Sequence, residues 1–384
     1  MPFDEARNGH LPPAEAHRRF LRTPRFASLD GLRTLCIAAV LWHHAPLVGE
    51  AAARWTVLGR GFLGVDFFFV LSGFLITTLL LREARQDGRF SLRGFYWRRA
   101  LRILPPYLLV VTAVSVYYVA VKGEWRYLEF VPFYYLFLAN FLQGDLPLLS
   151  PTWSLSVEEQ FYMVWPLLML ALPRRALGPA LAAGVALNLA AVTGALRPLG
   201  IVPFELGVLR FEMFTATYAP LLVGAALALG LDGRRSHAAL ASVLGRRGAP
   251  FAAFALLAAL LVLLPRDVEG WPGLALHLAM ALTLGTLVAR EDHALRPVLA
   301  WAPIRRVGEI SYGIYLYHLV ALHVVVAGLA RLGWHDAAAG WGWAVLALYT
   351  GVSILMAEAS FRLLEGPCLA LRHRRRPPGR VPAT

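Results

Sequence analysis

The stretch "LDGLRTLCIAAVLWHHA" (29–45) carries Asp30, Arg33, His43 and His44 inside an otherwise apolar run. An imidazole moves protons near neutral pH, an arginine fork suits a phosphate, and a carboxylate can orient either. On a helix, the eleven steps from Arg33 to His44 make three turns plus about 20°, so both project from one face about 16 Å apart. Asp30 falls within about 60° of that face, and His43 points elsewhere. The bland alternative has Arg33 snorkelling to headgroups and His44 held by a buried hydrogen bond. Ionisable groups inside apolar spans nevertheless mark functional sites by default.

Four further stretches add candidates. "GVDFFFVLSGFLIT" (64–77) places Asp66 near one helix end, with Ser72 and Gly73 where a second helix could approach closely. "FYWRRALRILPPY" (95–107) sets Arg99 and Arg102 three apart on one side of a helix start, where a phosphorylated ligand could be clamped. Anchoring at the inner headgroups is the simpler reading of that pair taken alone. "SPTWSLSVEEQFYMVWP" (150–166) puts Trp153, Ser154 and Ser156 ahead of Glu158, Glu159 and Tyr162. Ser156 and Glu159 fit an S-x-x-E capping box, which leaves Glu158 unexplained. "ISYGIYLYHL" (310–319) supplies Tyr312, Tyr315 and His318. His43 and His44 are adjacent and His318 and His323 are five apart, so neither pair has the i, i+4 spacing of helical metal ligands, and no metal is expected.

The elements that position these residues follow from composition. Of 384 residues 58% are hydrophobic and only 16% charged, which points to an all-α polytopic membrane bundle. Apolar runs at about 29–48, 61–81, 103–121, 154–172, 176–195, 213–230, 250–264, 272–289, 307–330 and 341–364 predict about ten spans. An aromatic stretch, 130–143, is too short to cross and reads as re-entrant or interfacial. With both termini cytoplasmic, 28 of the 37 lysines and arginines fall on the inner side and 8 on the outer. The expected organisation is therefore a cytoplasmic tail (1–28), a membrane domain (29–364) and a basic cytoplasmic tail (365–384). The net charge of +13 belongs to these flanks, so a lipid bilayer and not nucleic acid is the expected partner. Cys36 and Cys368 suggest no disulfide framework, and the first span reads as retained and not as a cleaved leader.

In this order the five motifs resemble those of the acyltransferase-3 family of integral membrane O-acyltransferases. Five ordered motifs between residues 25 and 320 are specific where each alone would be weak. The family's arginine, ten residues, histidine signature falls on Arg33 and His44, and its paired arginines on Arg99 and Arg102. Many members have glycine where this chain has Thr34, and many carry a fused esterase-like domain, which is not expected here. The resemblance implies transfer of an acyl group, acetyl foremost, from cytoplasmic acyl-CoA to a hydroxyl of a sugar or glycolipid at the outer face of a bacterial cytoplasmic membrane. Acyl-CoA is then a co-substrate held by Arg33, Arg99 and Arg102, with no resident cofactor. His44 is the expected general base, oriented by Glu158 or Asp30, and a covalent acyl-histidine step is the other mechanism open to it. Asp66, Ser72, Trp153, Ser154, Tyr162, Tyr312, Tyr315 and His318 complete the candidate site. A secondary transporter is the alternative, although no paired inverted repeat supports it.

Overall fold

The computed structural model describes residues 12–47, 55–211, 218–333 and 342–371. The outermost parts of both expected tails, 1–11 and 372–384, lie outside the described residues. In chain order the helices are α1 (Pro13–Arg22), α2 (Ala27–His43), α3 (Leu63–Asp87), α4 (Leu92–Val116), α5 (Val131–Tyr135), α6 (Thr152–Ala171), α7 (Arg174–Val192), α8 (Ala219–Asp232) and α9 (Arg234–Leu244). They continue with α10 (Ala249–Leu263), α11 (Trp271–Ala289), α12 (Arg296–Leu299), α13 (Ala302–Glu309), α14 (Ser311–Arg331), α15 (Gly342–Ser360) and α16 (Gly366–Ala370). A single short hairpin, β1 (Phe204–Leu206) with β2 (Leu209–Phe211), is the only sheet among the described residues.

Each of the ten apolar runs contains a helix, but among the described residues six helices are long and apolar enough to cross a membrane, or up to seven if α9 and α10, bent by 78°, form one span. The shortfall has physical causes. α2 has 17 residues and α8 has 14, short of the roughly 20 a full crossing takes. α6 is long enough but opens with serines and the two glutamates, which lower its apolarity.

Segment 130–143 contains no helix of spanning length, only α5 and a 3-10 turn at Ala139–Phe141. It is nonetheless firmly held. Tyr107 donates to the Tyr134 carbonyl at 2.7 Å, Leu146 N–H donates to the Tyr134 hydroxyl at 2.9 Å, and Gln160 of α6 donates to the Phe137 carbonyl at 2.9 Å. Phe137 adopts a left-handed φ of 54° while its ring stacks on Tyr107 with centroids 4.4 Å apart.

Two apolar cores hold the bundle together. One gathers Phe69, Tyr107, Val111, Trp165, Ile314 and Tyr349 from α3, α4, α6, α14 and α15. The other gathers Leu32, Val70, Phe74, Leu231, Leu276 and Leu284 from α2, α3, α8 and α11. α3 faces both, so its two sides are largely buried. The close approach of α3 to α8 rests on Gly73 and Gly224, where an added methyl would overlap the backbone of Leu221 or Val70 respectively.

The N-terminal segment read as a tail contains α1, which docks on the bundle. Its His17 Nε2 lies 2.9 Å from the Asp232 carbonyl, its ring packs on His237 at 4.8 Å, and Phe20 stacks on Phe26 at 5.6 Å. The next turn is fixed by Ser28, whose hydroxyl lies 2.9 Å from His293 Nε2 in the 290–295 connection.

Candidate active site

A cavity of about 530 Å³ opens between α2, α3, α4, α6, α14 and the segment around α16. Its lining brings together most of the residues that motif spacing singled out: Asp30, Arg33, Ser72, Arg99, Arg102, Ser154, Glu158, Tyr162, Tyr312 and Tyr315. Two close backbone contacts set the position of α2 in its wall. A methyl on Gly308 would overlap the Asp30 carbonyl, and one on Gly31 would overlap the Leu299 carbonyl, so α12 and α13 seat directly against the first turns of α2.

Within the cavity the charges divide into paired and unpaired sets. Arg25 bonds Asp30 at 2.8 Å and Glu309 at 2.7 Å. Arg33, Arg99 and Arg102 have no carboxylate within ion-pair distance among the described residues, so three guanidiniums face one space with their charge uncompensated by direct contact. Arg99 lies over the Tyr162 ring at 4.7 Å, which holds its fork toward the cavity while leaving its donors free. Such a set is suited to an oxyanion ligand with several acceptor oxygens.

The carboxylate side is organised around Glu158. Its Oε1 accepts from the Ser72 hydroxyl, in a short contact, and from the Tyr162 hydroxyl at 3.3 Å. Ser154 and Tyr315 share a hydrogen bond of 2.6 Å in the same wall. The Tyr312 hydroxyl donates to the Ile103 carbonyl at 3.1 Å, anchoring α14 to α4.

Behind Tyr315 lies an imidazole cluster. The His318 ring is 5.6 Å from Tyr315 and 4.7 Å from His44, which in turn is 5.0 Å from His43. His44 Nδ1 lies 3.0 Å from the Val40 carbonyl, and His318 Nδ1 lies 2.5 Å from the Tyr315 carbonyl. A carbonyl can only accept, so in the neutral rings both Nδ1 atoms carry the hydrogen and both Nε2 atoms keep their lone pairs. His318 is fully buried and its Nε2 has no hydrogen-bond partner. This arrangement leaves the His44 Nε2 lone pair available as an acceptor.

Several expectations need correction. His44 caps the end of α2 instead of lying deep within a longer span, because the helix stops at His43. Neither His44 nor His318 lines the cavity. Asp30 cannot orient His44: fourteen helical residues separate them by about 20 Å, and Arg25 occupies its carboxylate. Glu158 hydrogen-bonds Ser72 and Tyr162 instead of His44. Asp66 leaves the site altogether, since it pairs with His277 of α11 at 3.1 Å. Trp153 packs edge-on against Phe69 at 6.2 Å and is outside the cavity wall. Ser156 does not cap α6, which starts at Thr152; its hydroxyl donates back to the Thr152 carbonyl at 3.1 Å, and Glu159 is released to the cavity.

The sequence reading also missed residues. Arg25, Arg82, Glu309 and Glu365 line the cavity. Arg25 and Glu309 each flank a motif by a few residues, a signal that could have been used. Glu365 sits beyond the last apolar run, at the boundary assigned to a tail, and only the fold brings it to Arg102's cavity.

The chain matches the acyltransferase-3 family, described as an acyltransferase domain, across residues 26–358. It is 29% identical over 91% of its length to the Bacillus subtilis protein named "Putative peptidoglycan O-acetyltransferase YrhL", covering 55% of that protein. It is 28% identical over 90% of its length to peptidoglycan O-acetyltransferase OatA of Listeria monocytogenes, covering 57% of it. O-acetyltransferase OatA of Staphylococcus aureus is 33% identical over 40% of this chain, which covers 26% of that protein. The chain thus spans little more than half the length of the two relatives it matches end to end. No solved structure matches it significantly.

Proposed function

This chain belongs to the acyltransferase-3 family, and we propose that it moves an acetyl group from acetyl-CoA, supplied in the cytoplasm, to a carbohydrate hydroxyl at the outer face of a bacterial cytoplasmic membrane. The relatives' names make a peptidoglycan sugar the first acceptor to try. In this reading the ten apolar helices all belong to the membrane domain, with both termini inside, as the lysine and arginine distribution supports.

The observation that carries the reading is the cavity in which Arg33, Arg99 and Arg102 face a ligand space beside Glu158. The guanidiniums hold the phosphates of the donor, and the pantetheine arm runs toward the Ser154–Tyr315 wall. His44 Nε2 takes the proton of the acceptor hydroxyl as its oxygen attacks the thioester carbonyl; the new C–O ester bond forms, the C–S bond breaks, and the departing CoA thiolate takes up a proton. His318 holds the His44 ring from behind, and the Val40 carbonyl fixes its tautomer.

Detergent-purified protein given acetyl-CoA should release free CoA faster when a soluble peptidoglycan fragment is added, with the acetyl group recovered as an ester on the sugar. Acetyl-CoA left intact under both conditions would remove the donor assignment.

A further inference from the structure

A second pocket, of about 260 Å³, lies beside the main cavity between α1 and α3, lined by Arg18, Leu21, Arg22, Arg82, Arg85 and Gln86. Two helical stripes face each other across it. Residues 18, 21 and 22 of "RRFLR" and 82, 85 and 86 of "REARQ" each follow i, i+3, i+4 spacing, so each triplet shares one side of its helix. Four guanidiniums thereby meet in a wall that holds no carboxylate among the described residues. Glu83 pairs with Arg98 at 2.5 Å, and Arg85 pairs with Asp232, which Arg174 also meets, so Arg18, Arg22 and Arg82 are the pocket guanidiniums with no carboxylate partner among the described residues.

Topology anchors alone would spread into solvent, since like charges gain nothing by converging. Here α1 is pinned on its other side by His17, Phe20 and the Arg19–Asp292 pair at 3.7 Å, which commits Arg18 and Arg22 to the pocket side. Arg82 lines both this pocket and the main cavity, its guanidinium lying over the Phe26 ring at 5.1 Å and donating to the Pro24 and Phe20 carbonyls at 3.3 and 3.4 Å, while its buried Nε has no partner. The two spaces therefore meet at one residue.

We propose that this pocket is a phosphomonoester subsite, and that it takes the ribose 3′-phosphate at the nucleotide end of acyl-CoA. The assignment rests on the acetyl-CoA reading above and extends it: Arg33, Arg99 and Arg102 serve the pyrophosphate and arm, while Arg18, Arg22 and Arg82 serve the terminal phosphate, with Arg85 held beside them by Asp232. An anionic phospholipid headgroup offers the same chemistry, but the junction at Arg82 places the pocket in line with the donor cavity.

The test compares acetyl-CoA with 3′-dephospho-acetyl-CoA. In the unaltered protein, loss of the phosphate should raise KM about tenfold, as losing one charge-assisted contact implies, with kcat unchanged. Arg18→Ala and Arg22→Ala should raise KM for acetyl-CoA in the same direction and leave KM for the dephospho donor where it was. Equal increases for both donors would show a general field effect and overturn the subsite, as would a protein indifferent to the phosphate. A second measurement needs no turnover. Thermal stabilisation in detergent by 3′,5′-ADP should exceed that by 5′-AMP, which lacks only the 3′-phosphate, and Arg22→Ala should abolish the difference. If 3′,5′-ADP stabilises in this way but acetyl-CoA is never consumed, the subsite stands and the acetyl-transfer reading falls. If only phosphatidylglycerol nanodiscs stabilise in an Arg18- and Arg22-dependent manner, the pocket is a lipid site and the nucleotide assignment is wrong.

Discussion

His44 and His318 meet edge to face with ring centroids 4.7 Å apart, joining the end of α2 to the middle of α14. Each ring directs Nδ1 to a backbone carbonyl, so the pair presents two Nε2 lone pairs in a place remote in sequence from both. His44→Ala should cut acetyl transfer by about 10²–10⁴-fold with near-normal membrane insertion, the usual range for a positioned acid–base group. His43→Ala should be milder. His318→Ala should lower kcat and leave the KM for donor alone, because its ring touches His44 and not the cavity. If His43→Ala silences the protein while His44→Ala does not, the proton acceptor has been misassigned.

Arg99 and Arg102 line the cavity with no carboxylate at ion-pair distance among the described residues. Their alanine variants should raise KM for acetyl-CoA more than they lower kcat, since phosphate contacts made equally in ground and transition states act on binding. Lysine should restore only part, because a point charge replaces a planar fork. Steady-state kinetics showing unchanged KM in both alanine variants would return the pair to membrane anchoring.

Asp66 pairs with His277 and lies outside the cavity lining. Asp66→Ala should therefore lower stability by about 1–3 kcal/mol, the cost of leaving a buried hydrogen-bonding partner unsatisfied, while the surviving folded protein keeps its turnover per molecule. Calorimetry or dye-reported melting alongside activity separates the two effects. A normal melting temperature with lost turnover would restore Asp66 to the mechanism.

The contrast between Arg33 and Asp66 shows what could be read from sequence. Arg33, Arg99, Arg102 and Glu158 are polar groups that recur in ordered motifs, and all four line one cavity. Asp66 carries the same signal of a charge in an apolar run, yet its explanation is His277, more than two hundred residues away, and no local pattern reveals that partner. The shared face of Arg99 and Arg102 was legible, whereas the face drawn from Arg33 to His44 was not, since only Arg33 lines the cavity, and helix ends were not legible either. The end of α2 at His43 depends on how the chain turns after it, and the early start of α6 at Thr152 converts an apparent cap into a buried serine. The docking of α1 was missed because its apolar residues are few, and its contacts with Asp232 and His237 are tertiary.

His293 gives a pH dependence outside the membrane-spanning helices. Burial, reinforced by the Arg296 charge, lowers its pKa to about 4 from the usual 6.5. The folded state thus favours the neutral ring beside Ser28, and the unfolded chain takes up the proton first as pH falls. Stability from this site should be complete above pH 6.5 and be lost progressively as pH falls toward 4. His293→Asn should flatten the melting-temperature profile over that window; a profile identical to that of the unaltered protein would show that the site contributes nothing.

In the proposed reaction donor and acceptor approach from opposite faces of the membrane and meet near His44. Sealed inside-out vesicles can be supplied with radiolabelled acetyl-CoA outside and a peptidoglycan fragment trapped in the lumen. Acetyl ester should then form on the lumenal sugar, be abolished by His44→Ala and be absent from right-side-out vesicles given the same external donor. Label transferred equally in both orientations, or only to sugar on the side of the donor, would contradict it.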